Sequence, residues 1–117
     1  MVRRKEEAEI KVNHQMRGGD GDVTIRGLLR KDADEFYGKG RLFAEIDLPA
    51  GASIGKHVHE GEMETFYVLA GKGLFDDNGV PTEVGEGDVC YTGDGESHAI
   101  RNVGETELRL MALILYR

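Results

Sequence analysis

Four residues of this chain are best suited to chemistry: His57, His59, Glu64 and His98, three imidazoles and a carboxylate carried on two glycine-bounded segments. The first segment, Gly51 to Gly71, contains His57-Val58-His59-Glu60-Gly61-Glu62-Met63-Glu64. Side chains alternate across a strand, so His57 and His59 project from one face and Val58 from the other. After a turn built on Gly61, Glu64 opens the next strand with Phe66 and Val68 at the same parity. A carboxylate on that otherwise apolar face loses hydration, which a bound cation or a hydrogen-bonded partner must offset. An isolated His-x-His pair is more often two surface histidines on a polar loop. The second segment, Gly87 to Asn102, tilts the reading towards a joint site, because it adds a Gly93-Asp94-Gly95 turn and His98 at the start of another strand. Three nitrogens and one oxygen suit one divalent transition metal (Mn, Fe, Ni, Cu, Co or Zn), with positions left for water or substrate.

Positioning such a set requires many short strands. Seventeen glycines against two prolines describe a chain that turns often, and the stretches between glycines are rich in strand formers. The expected strands are Glu9 to Gln15, Val23 to Leu29, Arg41 to Leu48, Lys56 to His59, Glu64 to Ala70, Lys72 to Asp76, Val80 to Val84, Asp88 to Thr92, His98 to Val103 and Glu107 to Tyr116. Asn78-Gly79 predicts a two-residue hairpin, since both residues accept positive φ. Pro81 cannot donate to a ladder, which places its strand at an edge or makes it the start of one. The one helical turn expected is Lys31 to Phe36, capped by Asp32 or Asp34. Met16 to Asp22 reads as a flexible loop. The last strand is apolar on both faces in its second half, so its outer face needs a cover: a second sheet, the amino-terminal strand, or another subunit.

Length and charge narrow the class. A chain of 117 residues is one domain's worth, expected to bury about 65% of its unfolded surface, enough to fold without a metal or disulfide staple. The longest apolar run, Leu110 to Tyr116, is too short for a bilayer span. A net charge of −7 repels phosphate backbones and anionic lipid, so neither nucleic acid nor membrane is an expected partner. The amino terminus lacks the apolar stretch of a secretory signal, and the single Cys90 forms no internal disulfide; a cytoplasmic location is expected.

The two segments resemble the paired motifs of the cupin superfamily, in particular small single-domain cupins (monocupins of the cupin-2 type). Gly51, five residues, His57-x-His59, a four-residue gap, Glu64, six residues and Gly71 match the first motif. Gly87, five residues, Gly93-x-Gly95, two residues, His98, three residues and Asn102 match the second, with Gly93 where the family usually has proline. The resemblance implies an all-β fold, a jelly-roll β-barrel (double-stranded β-helix), as a single cupin domain over 1–117, with amino-terminal strands in 1–40 and barrel motifs at 51–71 and 87–102. It implies His57, His59, Glu64 and His98 as ligands of a metal near the barrel centre. Phe66, Val68, Tyr91, Ile100 and Asn102 are candidate pocket residues, although which face of the Tyr91 strand looks inward is left open and Asn102 reads as structural or as support for a ligand. Cys90 reads as a buried structural thiol.

His14 reads by default as a surface histidine. Were its strand to lie over the barrel mouth, His14, Met16 and Arg17 would reach the pocket. Glu60 and Glu62 read as a solvated charge run, with a proton-shuttling role if their loop folds inward. No further cation is clearly placed inside, which weakens a phosphate- or oxalate-specific reading. The leading functional expectation is a metal-dependent small-molecule enzyme of dioxygenase, isomerase or decarboxylase type. The alternative is a non-catalytic module that binds or senses a small, sugar-like ligand through the same metal. The resemblance extends to short cupins described as mannose-6-phosphate isomerase-like, and with the apolar last strand it suggests a homodimer.

Overall fold

The computed structural model describes residues 1–117. Ten strands, all paired antiparallel, form two sheets. They are β1 (Glu9–His14), β2 (Asp22–Gly27), β3 (Gly40–Leu48), β4 (Ser53–Val58), β5 (Glu62–Ala70), β6 (Lys72–Asp77), β7 (Val80–Gly85), β8 (Val89–Thr92), β9 (Ser97–Asn102) and β10 (Leu108–Tyr116). One sheet has six strands in the order β1-β2-β3-β10-β5-β8, and the other has four, β4-β9-β6-β7. All ten expected strands are present. The jelly roll follows from chain reversals that send successive strands back and forth between the sheets.

Period-two patterning explains the sandwich. Ile46 and Leu48 of β3, Phe66 and Val68 of β5, and Leu108, Leu110 and Ala112 of β10 turn inward from the large sheet. Ile54, Phe75 and Ile100 meet them from the small one. Asn78 and Gly79 take φ of 51° and 90°, as the expected hairpin requires, and Pro81 lies on β7, the edge of the four-stranded sheet.

Local expectations are corrected at two places. Residues 31–38 form a run of turns, not a helix, with Asp34 and Tyr37 at positive φ. Met16–Gly18, expected as part of a flexible loop, is a 3₁₀ turn whose backbone lies directly on Gly55 of β4; a second 3₁₀ turn occupies Lys5–Glu7. Gly55 has to be glycine, because a Cβ there would overlap the carbonyl of Arg17.

No strand covers the outer face of the second half of β10, and the amino-terminal segment reaches only its start, at Arg109. β1 extends the sheet edge by pairing with β2, and the second sheet covers only the inner face. Met111, Leu113 and Leu115 are left half-buried, beside exposed Tyr67, Val89 and Tyr91 of neighbouring strands. No helix is long and apolar enough to cross a membrane.

Candidate metal centre

Each imidazole is placed by strand register. His57 on β4 lies directly opposite His98 on β9, after a register shift between Ile54 and His57. His59 sits one residue beyond β4, held by its amide on the Glu96 carbonyl (3.0 Å), and Val58 between the two is exposed. Glu64 comes from β5 in the opposite sheet, where it pairs with Ile114 and Thr92. Three imidazoles from one sheet therefore meet a carboxylate from the other.

The meeting is close. Glu64 Oε1 lies 3.0 Å from Nε2 of both His59 and His98. Nε2 of His98 is 3.1 Å from that of His59 and 3.2 Å from that of His57. One ligand atom from each of the four residues falls within 4.8 Å of all the others. His98, His59 and Glu64 are buried, whereas His57 is half-buried and marks the side from which the cluster is approached.

The outward-facing nitrogens fix the rings. His57 Nδ1 donates to the Gly55 carbonyl (2.8 Å), His59 Nδ1 donates to Glu62 Oε2 (2.7 Å), and His98 Nδ1 shares a hydrogen bond with Thr92 Oγ1 (2.7 Å). With Nδ1 carrying the proton, Nε2 turns a lone pair inward. Lone pairs and a carboxylate oxygen packed this tightly form an electron-rich cage that a cation satisfies, so the donor set fits a first-row divalent metal. Hydrophobic rings brace it: Phe66 stacks on His98 at 5.1 Å between centroids and 14° between planes, and Phe75 meets the same ring edge-on at 5.7 Å.

Charge follows the same geometry. Without a cation the cage balances itself another way: burial would raise the Glu64 carboxyl, but with Nε2 of His59 and His98 protonated their hydrogen bonds outweigh it and hold the group at about 2, and these are the protons a metal would displace. His59 is raised by the Glu64 hydrogen bond against desolvation, with Glu62 adding to it. His57 is lowered, first by burial; the hydrogen bond to Gly55 opposes this, while the neighbouring histidines and Arg17 add to it. Burial also pushes the Cys90 thiol up to about 11, in line with a structural role.

Other candidates fall elsewhere. Tyr91 is corrected: it points outward and is exposed, while Cys90 and Thr92 on either side turn inward, so Thr92 is the residue of β8 that reaches the site. Asn102 takes the structural one of its two readings and is not a pocket residue. It lies at the opposite end of β9 from His98, where its amide donates to the carbonyls of Leu48 and Thr106 (both 2.8 Å) and accepts from Gly104 (2.9 Å), pinning the turn before β10. Phe66 touches the cage, and Val68 and Ile100 lie deeper in the closed core. His14 is exposed and pairs with Asp22 at 2.8 Å. Met16 packs on the core through the 3₁₀ turn, and Arg17 is exposed on that turn.

Glu62 departs from its expectation. It is not part of a solvated run but lies inside, between His59 and Arg41, accepting from Arg41 Nε at 2.9 Å and Nη2 at 2.8 Å. Its signal was parity: it shares a strand face with Glu64 and stands three residues after His59. Glu60, by contrast, is exposed. Gly93, the departure from the cupin motif, donates its amide to Glu96 Oε1 at 2.6 Å, a bond proline could not make, so the turn is fixed by hydrogen bonding in place of a ring.

Fold and site together define a cupin, and the chain belongs to that family: residues 44–114 match the Cupin domain. It is 47% identical over 115 residues to a protein of Thermotoga maritima named "Oxalate-binding protein", covering 98% of this chain and 93% of that one. A T. maritima structure described as a predicted oxalate decarboxylase superposes with a TM-score of 0.93 at 46% identity, with both chains fully covered. The polyketide cyclase RemF from Streptomyces resistomycificus shares the fold at a TM-score of 0.77 and 19% identity, over 99% of this chain and 80% of its own.

Proposed function

We propose that this cupin binds a small dicarboxylate of the oxalate class at a divalent transition metal held by His57, His59, Glu64 and His98. The observation that carries the reading is the convergence of four donor atoms within 4.8 Å, with the three imidazoles braced by partners at Nδ1. The ligand class is supported by the relative named as oxalate-binding, 47% identical over nearly the whole chain. The metal would supply positive charge and open positions that a chelating dianion fills. The protein's own groups hold the rings in one tautomer, keep water from the buried His59, Glu64 and His98, and leave the half-buried His57 side for entry. Binding on the metal removes the need for a free cation inside the barrel, the objection raised by the sequence.

Turnover is the second reading, favoured by the neighbour described as a predicted oxalate decarboxylase. Against it, Glu62 is engaged by Arg41 and His59 and Glu64 would itself be a ligand of the metal, which leaves no free carboxyl inside the cage to pass a proton. Metal analysis of protein purified without chelators, beside His98→Ala, tests the site: near-stoichiometric metal lost in the variant supports it, and equal metal in both refutes it. Calorimetry of the metal-loaded protein then reads oxalate binding. Conversion of hydrogen oxalate to formate and carbon dioxide would replace the binding reading with the enzymatic one.

The uncovered apolar face of β10, continuous with Tyr67, Val89 and Tyr91, supports a homodimer in which a second copy covers it. A monomer at micromolar concentration in sedimentation analysis would refute this.

A further inference from the structure

A second charged feature lies away from the cage, on the outer face of the six-stranded sheet. The amino-terminal segment folds back there and closes a cleft of about 500 Å³ against β2, β3 and β10, lined by Arg3, Arg4, Lys5, Arg26, Arg109 and Glu45. Five cations and one carboxylate line it; Glu35 pairs with Arg3, and Asp47, Glu45 and Glu107 surround Arg109, so the unbalanced charge is that of Arg4, Lys5 and Arg26, in a chain whose net charge is −7. Three unpaired cations lining one cleft repel one another unless something negative balances them.

Two of the cations are already anchored and form fixed walls. Arg3 is clamped on Glu35 (2.9 and 2.8 Å) and on the Leu28 carbonyl (2.8 Å), and Arg109 Nε is held by Asp47 at 2.8 Å. The other three have no partner: Arg4, Lys5 and Arg26 make no ion pair within 4.0 Å. Arg26 stands opposite Glu45 in the strand register without bonding to it. Its Nε is sealed from solvent and has no hydrogen-bond partner, alone among the buried side-chain nitrogens and oxygens of the chain. A guanidinium N–H left this way is costly and marks a side chain without a partner of its own; its terminal nitrogens, on the cleft, present the fork that matches the paired oxygens of phosphate and carboxylate groups.

We propose that this cleft is a second binding site, for a small organic anion carrying two or more phosphate or carboxylate groups, with the half-buried Arg26 at its floor and the exposed Arg4 and Lys5 as its outer contacts. The volume lies in the range of small-molecule pockets and exceeds what a lone inorganic ion fills. The site shares no residue with the metal cage and stands independently of the oxalate reading.

Calorimetric titration at constant ionic strength with two probes, pyrophosphate and tricarballylate, tests it. Each is titrated into the metal-loaded protein, into His98→Ala, where no caged metal is available to the probe, and into Arg26→Gln. Saturable one-to-one binding that persists in His98→Ala and weakens at least tenfold in Arg26→Gln supports the site. The tighter probe identifies phosphate or carboxylate as the recognised group. The R4Q/K5Q double variant, changed only at exposed positions, provides a second measure whether or not Arg26→Gln folds, with an expected loss of at least fivefold. Absence of saturable binding, binding abolished by His98→Ala, or unchanged affinity in the double variant would overturn the proposal.

Discussion

Glu62→Gln isolates the part of the site that acts through another residue. In the native chain Glu62 Oε2 accepts from both His59 Nδ1 (2.7 Å) and Arg41 Nη2 (2.8 Å), while Oε1 accepts from Arg41 Nε (2.9 Å). Glutamine keeps one oxygen. If that oxygen takes the Oε2 position, the amide nitrogen faces the Arg41 Nε–H donor to donor. If it takes the Oε1 position, the amide nitrogen faces His59 Nδ1 and favours the tautomer with the proton on Nε2, which cannot ligate. Either arrangement removes the negative charge that makes the His59 ring more basic. Loss of such a partner behind a ligating histidine typically weakens metal affinity about 10- to 100-fold, or ~1.4–2.7 kcal/mol. The assay is competition for zinc or manganese against a chromophoric chelator at fixed pH, with circular dichroism to establish that the barrel is intact. Glu60→Gln, at an exposed position, should bind as the wild type does. A Glu62→Gln protein with wild-type affinity would refute the argument that Glu62 sets the His59 tautomer.

Phe66→Ala removes a ring that is 2% exposed and stacked on His98, and should cost about 3–5 kcal/mol in urea denaturation. Gly55→Ala forces the Met16–Gly18 turn off β4, with an expected loss of about 1–3 kcal/mol and faster amide exchange in residues 15–19. The Glu35 carboxyl is held at about 2, chiefly by the Arg3 hydrogen bonds and by the Arg30 amide. Its folded value lies below the usual carboxylate range, so its contribution is complete above that range and disappears as pH falls towards 2. The protection factor of the Arg30 amide, its exchange rate relative to the intrinsic rate at each pH, should therefore fall as pH drops from 4.5 towards 2, and more steeply than in Glu35→Gln.

What could be read from sequence was whatever depends on parity and turn chemistry. His57, His59 and Glu64 converge because alternate side chains share a face, and Asn78-Gly79 turns because both residues tolerate positive φ. Tyr91 and Thr92 could not be assigned, since alternation gives two faces without saying which is inner; the pairing of Glu64 with Thr92 decides it. Glu62 was obscured by its acidic neighbours, because its partner Arg41 is 21 residues away and reaches it beside the register shift in β10 pairing with β3. The basic cleft was equally hidden, being assembled from the amino terminus, β2, β3 and β10.

The division of the ligands between sheets has a consequence for how long the protein survives. Three imidazoles hang from the small sheet and one carboxylate from the large one, so a cation held among them is a cross-brace between the two halves of the sandwich. Prying the halves apart then requires releasing the ion, and an ion at a thousand times its dissociation constant adds about 4.1 kcal/mol to the folded state. A chain that held such an ion would therefore come apart more slowly than the same chain without it, although both fold, and the difference would be lost on adding a chelator.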